Sequence, residues 1–141
     1  MLARFEQRPG SQTQKEVSAK RGSIRTKAVT SRQLAKTAAR FAEDKKAQNV
    51  VVLDMRKLVN FCDYFVICSA DSDRQVAAIV KGVEEALSDL GLRVRHKQGM
   101  DFSTWALLDL GDIVVHVFEG EARQFYGLEH LWQDAAKIKW Q

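Results

Sequence analysis

Few residues in this chain could do chemistry, and the most suggestive are Asp71, Ser72 and Asp73. They follow an apolar run, residues 63–69, that reads as a strand. A strand, a serine and two alternating carboxylates are how nucleotidyltransferases place magnesium for phosphoryl transfer, since a hard cation takes oxygen ligands. Such a site needs a third carboxylate on a neighbouring strand, for which Asp109 can be nominated. It also needs a glycine–serine pair to hold the nucleotide, and that pair is missing. The same three residues are ordinary in the first turn of a helix, where oxygens meet free backbone N–H groups. A magnesium-dependent nucleotidyltransferase is therefore an alternative reading, not the leading one.

The other reactive side chains point the same way. His96, His116 and His130 have no spacing that makes a ligand set, and Cys62 and Cys68, six apart, fit neither a metal site nor a disulfide framework. Buried reduced thiols are expected, with no metal and no cofactor. His116 interrupts an apolar run, as a core or interface histidine does. Trp105 and Asp109 share one face of their strand. An aromatic beside a carboxylate suits a Lys- and Arg-rich partner surface, but on pattern alone a core tryptophan with a turn-forming aspartate is the favoured reading, since buried aromatics are common. Arg123 and Tyr126, three apart, share a helical face. With Phe125 turned to the core, Tyr126 lies on the helix flank, either solvated or meeting a partner.

Charge divides the chain. Residues 1–32 hold eight Lys and Arg against two acids, and the remainder holds fourteen against sixteen, so a basic tail of +6 precedes a domain of −2. The tail, 1–30, carries the only proline and no sustained apolar period, and is expected to be disordered. It could touch RNA phosphate weakly, or be inert. No apolar run reaches the ~20 residues of a membrane-spanning helix, and the first residues lack the apolar block of a secretory signal. The expectation is a cytoplasmic protein that makes no membrane contact, although an organellar setting stays open.

The elements that must position these residues can be read from periodicity. Thr30 and Gln33 fit a capping box, and Leu34, Ala38, Phe41 and Ala42 then share a helical face to about Ala47. Residues 50–53 form a β-branched run, a buried strand, and 63–69 a second strand. Ser72 opens the next helix, with Gln75 placed for another capping box, and Val76, Ile79, Val80, Val83, Leu87 and Leu90 mark its core face. Gly91 ends it. Residues 92–96 alternate as an edge strand does. Residues 104–109 and 113–118 flank the Gly111-Asp112 break as a hairpin, and its second run, apolar on both faces except at His116, belongs mid-sheet. A helix from about Ala122 is expected to bury Phe125, Leu128, Leu131, Trp132 and Ala135. The order is αββαβββα, an α/β (α+β) domain over 31–141 with one five-stranded mixed sheet flanked by helices.

At the hairpin and last helix the sequence stops being generic. The run WALLDLGDIVVHVF at 105–118, followed by RQFYGLEHLW at 123–132, resembles the signature of the ribosomal silencing factor (RsfS/Iojap) family. DYFVI at 63–67 and SDRQ at 72–75 are similar to the same family, and the resemblance runs from about 31 to 140. It implies a distantly nucleotidyltransferase-like fold and a non-enzymatic protein. That protein binds ribosomal protein uL14 on the large subunit, blocks joining with the small subunit and so represses translation. Organellar relatives imply a role in large-subunit assembly, which a tail-led RNA-binding factor would also fit. The resemblance implies partner contacts at Trp105, Leu107, Asp109, His116, Arg123 and Tyr126. The chain departs from the family in Gln98-Gly99, where a Glu-Gly pair is usual, and in its tail. An apolar face kept for a partner could also pair two free copies into a homodimer.

Overall fold

The computed structural model describes residues 29–99 and 104–141. The expected disorder of the basic tail falls on residues outside the described ones, apart from Val29 and Thr30.

Helix α1 spans Ser31–Asp44 and starts where its cap demands. The Thr30 hydroxyl accepts from the Gln33 N–H at 3.2 Å, and the Gln33 carboxamide accepts from the Thr30 N–H at 2.9 Å. The expected capping box is thus complete. Ala35, Ala38, Ala39 and Ala42 are buried with Leu34, so small side chains let the helix lie close on the sheet. Strand β1 (Gln48–Asp54) follows, and β2 (Tyr64–Ala70) pairs antiparallel to it. Helix α2 (Asp73–Ser88) begins at Ser72, whose hydroxyl accepts from the Gln75 N–H at 3.1 Å. The second capping box is only half made, because the Gln75 side chain bonds the Asp71 N–H and the Lys46 carbonyl instead.

Strands β3 (His96–Gln98), β4 (Trp105–Asp109) and β5 (Ile113–Glu119) come next. The tight β4–β5 turn is held by the Asp109 carboxylate, which accepts from the Gly111 N–H at 2.9 Å. Gly111 has φ +90°, a conformation that glycine adopts without strain. Two short helices, α3 (Ala122–Tyr126) and α4 (Leu128–Leu131), and a last strand, β6 (Ala136–Ile138), finish the fold.

The sheet order is β3-β4-β5-β2-β1-β6, with β2 and β5 parallel and all other neighbours antiparallel. β5 is central, as its two-sided apolar run requires, and β3 is an edge. Side chains alternate between two cores. Val66, Cys68, Ile113, Val115 and Val117 face α1 and α2. Phe65, Ile67, Trp105, Leu107, Val114 and Phe118 face the other way, where Leu128, Trp132 and the Met55–Cys62 region cover them. Each such aliphatic or aromatic side chain, fully buried, contributes roughly 1.5–3 kcal/mol.

Two expectations need correction. The edge strand is 96–98, not 92–96: Leu92 is drawn into the α2 core, and only the Arg95 N–H bonds β4, at the Asp109 carbonyl (2.7 Å). The expected final helix breaks at Gly127, whose φ of +61° ends α3 and redirects α4. Residues 136–138 then pair with Val52–Asp54 of β1, so the sheet has six strands, not five. As a result Phe125 and Leu131, expected on the core side, are 83% and 52% exposed.

Candidate partner-binding site

The face of the sheet opposite α1 and α2 carries a graded stack of aromatic rings. At its floor His116 meets Phe65 edge-on, with centroids 4.6 Å apart. Trp105 lies above, its ring 5.9 Å from His116 and 5.0 Å from Phe118. Its indole N–H donates to Nδ1 of His116 at 3.1 Å. Tyr126 covers Trp105 at 4.8 Å and Phe118 at 6.3 Å, and Phe125 stands against Tyr126 at 5.2 Å. Trp105 and His116 are buried, whereas Tyr126 is 47% exposed. Offset and edge-on contacts of this kind are each worth ~0.5–1.5 kcal/mol beyond the area they bury. The exposed rings therefore stand on a rigid support.

The expected site residues separate into three groups. Trp105, His116 and Tyr126 share the stack, and only Tyr126 reaches the surface. Leu107, opposite His116 in the ladder, is wholly core. Asp109 is buried in the hairpin turn, level with Val114 and far along the strands from Trp105. Arg123 forms a third, separate centre. Its guanidinium grips both oxygens of Glu129, at 2.7 and 3.1 Å, and donates to the Asn49 carbonyl at 2.7 Å and the Ser69 hydroxyl at 3.0 Å. Asn49 has φ +51° in the bulge that interrupts the β1–β2 register, so Arg123 ties α3 to that irregular strand start. Sequence reasoning missed Phe125 and Leu131 as surface residues of this site; the signal for them was Gly127, a glycine inside an apparent helical period. A cleft of about 480 Å³ opens beside Trp132, lined by Lys57, Leu58, Val59, Asn60 and Phe61.

Burial sets the titration of the two reactive side chains inside. It pushes the His116 pKa down to about 3, so the imidazole is neutral and accepts at Nδ1. It pushes the Cys68 thiol up to about 12, against the opposing charge of Arg123. The nominated magnesium carboxylates are not brought together. Asp71 lies just past the β2 terminus at Ala70, level with Glu119, and Asp109 is level with Phe65 at the other end. Six strand residues at ~3.3 Å each separate the two levels by roughly 20 Å. The Asp71 carboxylate instead accepts from the Gln48 carboxamide at 3.2 Å. Among the described residues no group of three His, Cys, Asp or Glu side chains could hold a metal ion, and no helix is long and apolar enough to cross a membrane.

Comparison with known proteins agrees with the geometry of the sheet. The family model described as ribosomal silencing factor during starvation matches residues 28–141. A ribosomal silencing factor RsfS from Bacillus subtilis is 40% identical over 107 residues, covering 76% of this chain and 91% of that protein. The chloroplastic protein Iojap of Zea mays is 35% identical over 104 residues, covering 72% of this chain and 44% of its own. A crystal structure from Chromobacterium violaceum superposes with a TM-score of 0.72 at 31% identity, over 74% of this chain and 88% of that one. One from Bacillus halodurans gives 0.68 at 35% identity, over 77% and 98%. With its mixed sheet, its hairpin tryptophan and a match across all its described residues, the chain belongs to the ribosomal silencing factor (RsfS) family.

Proposed function

We propose that this chain represses translation by occupancy and not by catalysis, binding ribosomal protein uL14 on the large subunit and sterically blocking the small subunit. The observation that supports this reading is the aromatic stack. Phe125, Tyr126 and Leu131 present apolar surface within seven residues of chain, held by Trp105 and Phe118 beneath. Exposed aromatic side chains on a rigid base are the anchors protein interfaces use, since little conformational entropy is lost on docking. The cleft beside Trp132 extends the same face and offers a recess for a partner side chain. Trp105, Leu107 and His116 act from behind, as the support that fixes where Tyr126 stands. Arg123 holds α3 in place, and Asp109 holds the hairpin turn. Off the ribosome, the same apolar face is the one that pairs with a second copy.

Sedimentation of purified, dissociated ribosomal subunits through a sucrose gradient tests the proposal. The protein comigrates with the large subunit and lowers the fraction of rejoined ribosomes. Protein left at the top of the gradient, with joining unimpaired, overturns it.

A further inference from the structure

On the opposite side of the sheet the molecule carries a second, chemically different surface. Arg32, Lys36 and Arg40 recur at four-residue intervals along α1. At 1.5 Å per residue they form a ridge with a cation every ~6 Å. Arg32 and Arg40 are exposed and Lys36 half-buried. None of the three forms an ion pair among the described residues, where the pairs include Arg56–Asp54, Lys97–Glu84 and Arg123–Glu129. Arg32 helps to hold the Asp54 carboxyl ionised, but Arg56 already grips both oxygens of that carboxylate at 2.9 and 2.7 Å. The acids on α1, Glu43 and Asp44, are confined to its last turn, where Lys45 and Lys46 follow them. Phe41, 40% exposed, adjoins Arg40.

The charge of the whole chain is divided along its sequence. Residues 1–47 hold twelve Lys and Arg against four acids, while residues 48–141 hold ten against fourteen. A solvated helix in a mildly acidic domain has no need of this segregation. Apolar insertion into lipid needs a broad apolar face beside the cations, and the outward face of α1 offers Phe41 alone. Phosphates of a nucleic acid need only a row of unpaired cations, and an exposed ring adds stacking on an unpaired base.

We infer that the Arg32–Lys36–Arg40 ridge of α1 is an RNA-backbone binding surface, separate from the aromatic face. Because α1 lies on one side of the sheet and Tyr126 on the other, protein and RNA contacts can be made together. Binding is electrostatic and independent of base sequence.

The test is fluorescence anisotropy of a short labelled single-stranded RNA with the full chain, titrated from ~50 to ~200 mM salt. Reversal of the ridge (Arg32→Glu, Lys36→Glu, Arg40→Glu) is expected to weaken binding about tenfold or more at the lower salt. It should also flatten the log–log salt slope by about 2, the share of three phosphate contacts on a single strand. Circular dichroism verifies the fold, and the milder triple alanine variant gives the same direction if reversal disturbs α1. Reversing Arg74 and Lys81, exposed on α2, leaves the slope unchanged. An equal loss from the α2 variant overturns the inference, as does an unaltered slope in the ridge variants. Binding to vesicles rich in anionic lipid with none to RNA also overturns it. Comigration of the ridge variants with isolated ribosomal protein uL14 reports separately on the aromatic face, so failure of one surface is not mistaken for failure of the other.

Discussion

Trp105 and His116 are diagonal neighbours on β4 and β5, and the indole N–H of one meets the Nδ1 of the other at 3.1 Å inside the core. The pair fixes both ring orientations and the tautomer of the histidine, because a neutral imidazole that accepts at Nδ1 carries its proton on Nε2. It also fixes the platform under Tyr126. Trp105→Phe retains ring packing but removes the donor and should cost ~1–3 kcal/mol. Trp105→Ala opens a cavity and should cost ~3–5 kcal/mol. Urea denaturation measures both, and large-subunit binding should fall in the alanine variant in step with its loss of stability. A Trp105→Ala protein as stable as the parent would place this side chain outside the core.

His116 makes the fold sensitive to acid. Its folded pKa is depressed to about 3 by burial, against an unfolded value of 6.5. Between those values the unfolded chain binds the extra proton, so stability is complete above pH 6.5 and is lost as the pH falls toward 3. Urea midpoints taken from about pH 7 to about pH 4 should therefore decline, and decline less steeply in His116→Gln. Superimposable pH profiles would assign the acid sensitivity to other groups.

Arg123 is a fastening, and lysine cannot replace it. One ammonium cannot span a bidentate carboxylate, a carbonyl and a hydroxyl at once. Arg123→Lys should lower stability by about 1–3 kcal/mol. Faster hydrogen exchange, concentrated in α3 and α4, is the expected signature. Uniform exchange across the sheet would contradict the role given to this side chain.

The exposed rings should behave in the opposite way. Phe125→Ala and Leu131→Ala change stability by no more than about 0.5 kcal/mol, as surface substitutions do. Tyr126→Ala costs more, because its ring covers Trp105. All three should weaken large-subunit association, Tyr126→Ala by at least ~2 kcal/mol if it is an anchor. Melting curves beside gradient binding separate the two effects, and unchanged binding in all three variants removes the aromatic face from the mechanism.

The thiols offer a control on packing. Cys62 and Cys68 are buried and unbridged, and Cys68 is shifted to about 12. Neither should react with an aromatic disulfide reagent until the chain is unfolded, since the thiolate is the nucleophile.

Most of the scaffold was legible because its signals are local. The Thr30–Gln33 box, the period of Val76, Ile79, Val80 and Val83, and the two-sided apolar run around His116 each specify their own environment. The errors at the end of the chain share one cause. Residues 122–135 repeat apolar side chains at helical spacing, but Gly127 takes a left-handed conformation and residues 136–138 find β1, a partner some eighty residues upstream. A three-residue strand has no period of its own, so only the partner reveals it. The candidate site suffered similarly. Trp105 and Tyr126 could be nominated singly, but their stacking depends on where that broken helix lands. Arg123 looked like a contact because nothing in the sequence announces the Asn49 bulge that it grips.

The late pairing of β6 bears on how this protein is made. The Trp140 indole donates to the Val50 carbonyl across ninety residues of chain, and β6 covers the outer edge of β1. During synthesis, β1 must therefore wait as an open edge while every other strand is laid down. The segment that carries Phe125, Tyr126 and Leu131 lies just ahead of the one that closes that edge. The sticky rings of a growing chain are thus made before the segment that seals its sheet.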